Sequence, residues 1–262
     1  MIKPTERKFV LKRDKIDERD KKFLRITEFP VKMPKKFDLT FLCPPVFDQG
    51  NLGSCTANAG VAAYMMLKYK REELMSRLFL YYQERLLYGT EYLNEDCGAE
   101  MRDIGKCLKT VGVCLEKYMP YEEEKFAHTP SMQAYLDAKD RKIKTYTRLS
   151  TLDQIKWWLV THEQPVLIGM DCYGGEQGLI SEYAAKNGKI SCPKNGDQYY
   201  GGHAVLIVGY KDATLMGKMF GLIDGYLLVR NSWGKEWGAG GYFWMPYDYV
   251  RRDFAYDIWT LS

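Results

Sequence analysis

Residues 47–60 constrain this chain most. They read Phe47-Asp48-Gln49-Gly50-Asn51-Leu52-Gly53-Ser54-Cys55-Thr56-Ala57-Asn58-Ala59-Gly60. A polar, glycine-bearing loop carrying one Gln runs into a Cys. That Cys opens a stretch of small and apolar residues (Ala57, Ala59, Ala62, Ala63, Met66, Leu67) that suits a buried helix. A thiol at a helix N-terminus meets unpaired N–H groups and the positive end of the macrodipole, which favour the thiolate. The plainer reading is a small buried Cys that merely begins a core helix.

Two distant runs bear on that choice. Gly201-Gly202-His203-Ala204-Val205-Leu206-Ile207-Val208 puts a His at the mouth of an apolar, strand-like run. Leu227-Leu228-Val229-Arg230-Asn231-Ser232-Trp233-Gly234 ends a second such run on an Asn, with Trp close behind. Cys, His and Asn supply a nucleophile, a base and a group that orients the base. On these three motifs, from about Lys36 to the C-terminus, the chain resembles the papain-like cysteine peptidases, the papain and cathepsin family. His203 lies 148 residues after Cys55, within the ~130–150 residues usual for that family, and Asn231 lies beyond it. Asn51-Leu52 stand where the family has Cys-Gly, which puts one family disulfide in question. Thr56 stands where it has an aromatic residue.

The resemblance implies an α+β fold of two lobes, a helical left lobe and an antiparallel, β-barrel-like right lobe, with the active-site cleft between them. The peptidase domain would span 37–262, its helical lobe mainly 50–130 and its β lobe mainly 140–262. It implies a cysteine endopeptidase acting on a peptide or protein substrate, with Cys55 forming a thioester acyl-enzyme and His203 as general acid/base. The two would rest as thiolate and imidazolium. Asn231 would hold the imidazole and Trp233 would shield that bond. The side-chain amide of Gln49 and the backbone N–H of Cys55 would form the oxyanion hole. Gly98, walled by Cys97 and Ala99, would pair with the non-prime side of the substrate, opposite Gly202. Trp237 would wall the leaving-group side. Two alternatives stay open: a transpeptidase or ligase using the same acyl-enzyme, and a non-catalytic peptide-binding protein on a peptidase scaffold.

Composition narrows the remainder. No run approaches the roughly 18 apolar residues of a membrane span, and residues 1–8 lack the apolar core of a secretory signal. The compartment stays open. There are seven cysteines, no Cys-x-x-Cys pair and three histidines, so neither a structural metal nor a cofactor is expected. The odd Cys count fits one free thiol with up to three bridges, or seven reduced thiols. A monomer is expected.

Charge is unevenly spread. Residues 1–36 carry 13 Lys/Arg and 6 Asp/Glu, so a segment of +7 precedes a body of −3. A nucleic-acid arm would be basic without so much interleaved acid, and no nucleic-acid partner is expected. One reading is a solvated leader. The other is a short pro-region that lies on the acidic body, covers the cleft and inhibits the enzyme as an intramolecular partner.

Local patterns predict helices from Cys55, over 76–88 with Gly89 as a stop, from about Asp96 to Gly112, and over 152–160 with Thr151 as cap. Strands are expected over 143–149, 166–170, from His203, and at 226–229, 241–245 and 256–261. Residues 171–202 read as a long excursion, His128 as an exposed loop residue, and His162 as a capping or surface residue.

Overall fold

The computed structural model describes residues 3–23, 33–68, 73–214 and 224–262. The first helix, α1 (Cys55–Leu67), is buried over its whole circumference from Cys55 to Met66, as expected of a central helix with no polar stripe. Its Gly60 lets neighbouring helices approach closely, because a Cβ there would meet Ile104 and Leu80. Those two residues belong to α3 (Met101–Thr110) and α2 (Arg77–Leu86). Ser76 caps α2 by accepting the Phe79 N–H. Further along are α4 (Met132–Ala138) and α5 (Leu152–His162), with Thr151 accepting the Gln154 N–H at the start of α5.

One antiparallel sheet, built mainly from the second half, forms the other lobe. Its strands are β1 (Lys36–Asp38), β2 (Tyr146–Leu149), β3 (Val166–Tyr173), β4 (Tyr199–Asp212), β5 (Gly225–Arg230), β6 (Tyr242–Pro246) and β7 (Ala255–Leu261). Their order is β2-β7-β3-β4-β5-β6, with β1 also on β4. The sheet curls without closing into a barrel. Helix α1 lies against β4, so the start of the central helix faces the mouth of the central strand. This is the papain-like two-lobe α+β arrangement.

Two local expectations need correction. The third helix begins at Met101 rather than near Asp96. Gly98 holds φ +67°, and the Asp96 carboxylate accepts the Gly53 N–H and the Tyr81 hydroxyl, which fixes 96–100 as a loop. The 171–202 excursion is shorter than its sequence suggests: β3 continues to Tyr173, β4 starts at Tyr199, and a helix, α6 (Glu182–Asn187), lies between them. His128 is exposed. His162 is exposed as well, and its ring packs on Trp158, ring centroids 4.0 Å apart, where partial burial lowers its pKa. All seven cysteines are free.

Candidate active site

The helix start, the strand mouth and the end of β5 bring Cys55, His203 and Asn231 to one place. His203 is fully buried and its Nε2 lies 2.8 Å from Asn231 Oδ1, which also accepts the Ser232 N–H. A carbonyl-type oxygen accepts only, so Nε2 carries the proton, and the buried Nδ1 has no hydrogen-bond partner among the described residues. The Trp233 ring stacks on the imidazole at 5.1 Å and 29°, and Trp237 meets Trp233 edge-on at 5.0 Å. Trp233 thus covers the His203–Asn231 bond, with Trp237 behind it.

Gln49 is buried beside them. Its Oε1 accepts the Ser232 hydroxyl at 2.6 Å, and one hydrogen of its Nε2 goes to the Leu52 carbonyl at 2.9 Å. The amide therefore has a fixed orientation and a second hydrogen to offer. Tyr121, which no sequence motif singles out, ties this loop to the helix start: its hydroxyl donates to the Gln49 carbonyl and bonds Ser54 Oγ. Thr56 gives its hydroxyl to Glu84, a fully buried carboxyl on α2 whose pKa burial pushes well up. A polar residue after the Cys is therefore satisfied by a buried carboxyl inside the core.

The cleft between the lobes is filled by the chain's own N-terminal segment. Arg7, 5% exposed, donates to Asp48 and to the Gly50 carbonyl, with its guanidinium 5.4 Å from the Trp233 ring centre. The Phe9 ring stands edge-on to Tyr200, His203 and Trp233. The backbone is then gripped from both rims: Leu11 N donates to the Gly202 carbonyl and Lys12 N to the Ala99 carbonyl. Gly98 faces the Val10 carbonyl so closely that any side chain there would collide with it. Cys97 beside it is half-buried. Farther on, Asp14 and Asp20 join Arg148, and Asp20 also pairs with Arg102. Residues 1–2 and 24–32 of the expected 1–36 leader lie outside the described residues.

Burial under this segment changes the ionisation expected of the pair. It pushes the Cys55 thiol up to about 12, although the backbone N–H groups of Ala204, Thr56 and Cys55 pull the other way. It draws His203 down to about 4, against the pull of the Asn231 bond. In this closed arrangement both shifts oppose the thiolate and imidazolium expected of the pair. Separated charges are costly where water is excluded.

The sequence pattern of the papain family of cysteine proteases matches residues 33–253. The chain belongs to that family. An uncharacterised peptidase C1-like protein of Acanthamoeba polyphaga mimivirus is 36% identical over 229 residues, 82% of this chain and 68% of its own length. Cathepsin J of Mus musculus is 29% identical, and the match spans 57% of its length. Among solved structures, xylellain, a cysteine protease from Xylella fastidiosa, superposes with TM-score 0.83 at 34% identity, covering 98% of this chain and 96% of that one. Procathepsin L2 of Tenebrio molitor shares the fold, with TM-score 0.73 at 19% identity.

Proposed function

We propose that the chain is a cysteine endopeptidase held closed by its own N-terminal segment. The observation that carries this is the double grip on the backbone of residues 10–12, by Gly202 on one rim and Ala99 on the other, over a Cys–His–Asn constellation. A substrate held between the same rims would put its scissile carbonyl beside Cys55. The thiolate attacks, Gln49 Nε2 and the Cys55 N–H receive the oxyanion, and His203 protonates the leaving amine. Water, deprotonated by His203, then clears the thioester.

The direction of the bound segment explains why it can block without being cut. It runs from Arg7 over Trp233 to Lys12 on Ala99. A substrate runs the other way, its acyl half along Gly98 and its leaving half along Trp233 and Trp237. Reversal turns the Phe9 carbonyl towards Gly201 and the Val10 carbonyl towards Gly98, neither of them presented for attack.

Gln49→Ala should lower kcat by roughly 10²–10³, the usual loss for one oxyanion donor. It should also lower Tm by a few degrees, since the Ser232 hydroxyl and Leu52 carbonyl lose a buried partner. A burst assay with a chromogenic ester checks the first effect, and an unchanged acylation rate would remove Gln49 from the oxyanion hole.

Acidity should act on the docked segment through Asp14. Burial, then the nearby Asp257, raise its carboxyl from 3.8 to about 6, although it accepts bonds from Arg148, Trp259 and the Arg102 backbone. The docked pKa exceeds the free one, so docking takes up a proton. This contribution is complete below the free value of 3.8 and is lost as pH rises through about 6. Exchange of thiol plus imidazole for the ion pair binds no net proton and adds nothing in that window. The turnover ratio of a leader-loosened form to the intact chain should therefore fall about 10- to 100-fold between pH 4 and 7. Asp14→Asn should flatten it. A ratio that rises with pH would contradict this assignment.

A further inference from the structure

Beyond the grip on the backbone, the N-terminal segment fills two side-chain sites on the non-prime end of the cleft. Leu11, 8% exposed, brings its side chain to Gly169, which the Tyr256 ring also approaches. Arg13 lies over that tyrosine. Its guanidinium sits 3.8 Å from the Tyr256 ring centre, and its Nη2 donates to Asp171 Oδ2 at 3.0 Å and to the Asp253 carbonyl at 3.5 Å.

The walls of this second site belong to the body. Asp171 is on β3, Tyr199 on β4 and Tyr256 on β7, three neighbouring strands of the sheet. The Asp171 side chain is 10% exposed, and the neighbouring Tyr256 and Tyr199 hydroxyls favour its charged form, whereas the Arg13 side chain is 55% exposed. Tyr173 meets Tyr199 at 5.4 Å and braces it. With the segment docked the carboxylate is nearly closed off, and its present cation lies on the outside. When the segment leaves, this charge stays in place without its counter-ion.

We infer that Asp171, Tyr256 and Tyr199 form a subsite for a guanidinium side chain of the peptide substrate, on the amino-terminal side of the residue that takes the Leu11 position. This rests on the peptidase reading and names the substrate class for it: peptides with an arginine upstream of an aliphatic residue. A planar fork that accepts a carboxylate along its edge and a ring on its face suits arginine better than lysine.

The test uses the full-length chain carrying Phe9→Ala and Arg13→Gln, which empties the site and loosens the segment. Fluorogenic peptides carry leucine two residues before the cut, with arginine or its uncharged isostere citrulline at the third or the fourth. The arginine peptide should show kcat/KM about 10- to 100-fold above its citrulline partner, as charge-assisted bonds to a shielded carboxylate allow. Adding Asp171→Asn should bring the two within about twofold, a span that the loss of such a bond exceeds. The same peptides, N-methylated at the scissile amide, are titrated calorimetrically onto the Cys55→Ala form. Tighter arginine binding without turnover of any peptide would keep the subsite and sink the peptidase reading. Equal binding and equal turnover of both peptides would leave Asp171 as an anchor for residue 13 alone and overturn the proposal. Absence of binding by either peptide would overturn both readings.

Discussion

His203→Ala should reduce peptide turnover by at least about 10⁴-fold, as removal of a base that acts as a unit with its nucleophile does. The imidazole is wholly buried, fixed by Asn231 on one nitrogen and stacked under Trp233. No other histidine can substitute for it: His128 is exposed in a loop and His162 packs on Trp158. Without the ring, the Cys55 thiol loses the group that takes its proton. Steady-state turnover of a fluorogenic peptide by the leader-loosened chain, with and without the substitution, measures the effect. A loss smaller than about tenfold would be less than general base catalysis alone supplies and would remove His203 from the mechanism.

The second large effect concerns the segment over the cleft. Arg7→Ala together with Phe9→Ala should raise turnover by the full-length chain about 100-fold, because a charge pair buried on its Arg7 side and a half-buried aromatic ring together hold the docked state by about 3 kcal/mol. Arg7 joins Asp48 and the Gly50 carbonyl on the loop that carries Gln49, and Phe9 lies over His203. Neither side chain belongs to the domain core, so Tm should move by only a few degrees. The check is kcat/KM for a short fluorogenic peptide. Unchanged turnover with an unchanged Tm would mean that the segment braces the fold and does not gate it.

The elements most legible in the sequence are those whose cause is local. The small-residue run after Cys55 becomes the buried α1, and Ser76 and Thr151 cap α2 and α5 through their own hydroxyls. The apolar runs around His203 and Asn231 become β4 and the end of β5. What the sequence conceals depends on contacts across the fold. The start of the third helix is moved to Met101 by Asp96, whose carboxylate is claimed by Gly53 and Tyr81 from other elements. Tyr121 and Glu84 support the site from positions with no motif of their own.

The N-terminal segment shows the same limit. Its +7 charge against an acidic body suggests contact with that body, but not which residues meet. Charge pattern carries no register. Register comes from Phe9, Leu11 and Arg13 meeting an aromatic surface, a small-residue gap at Gly169 and the Asp171 carboxylate. Those three sites exist only after the sheet has assembled. The ionisation of Cys55 and His203 likewise follows from burial under that segment, which spacing along the chain does not encode.

The most direct measurement is the rate at which a thiol-directed epoxysuccinyl peptide modifies each cysteine, mapped by mass spectrometry on the intact chain and on the Arg7→Ala, Phe9→Ala form. A closed cysteine peptidase predicts slow labelling in the first, labelling about 100-fold faster at Cys55 in the second, and loss of both with His203→Ala. If Cys55 stays unmodified in both forms while Cys43, Cys97 or Cys192 react, the site holds no activated thiol and the account fails.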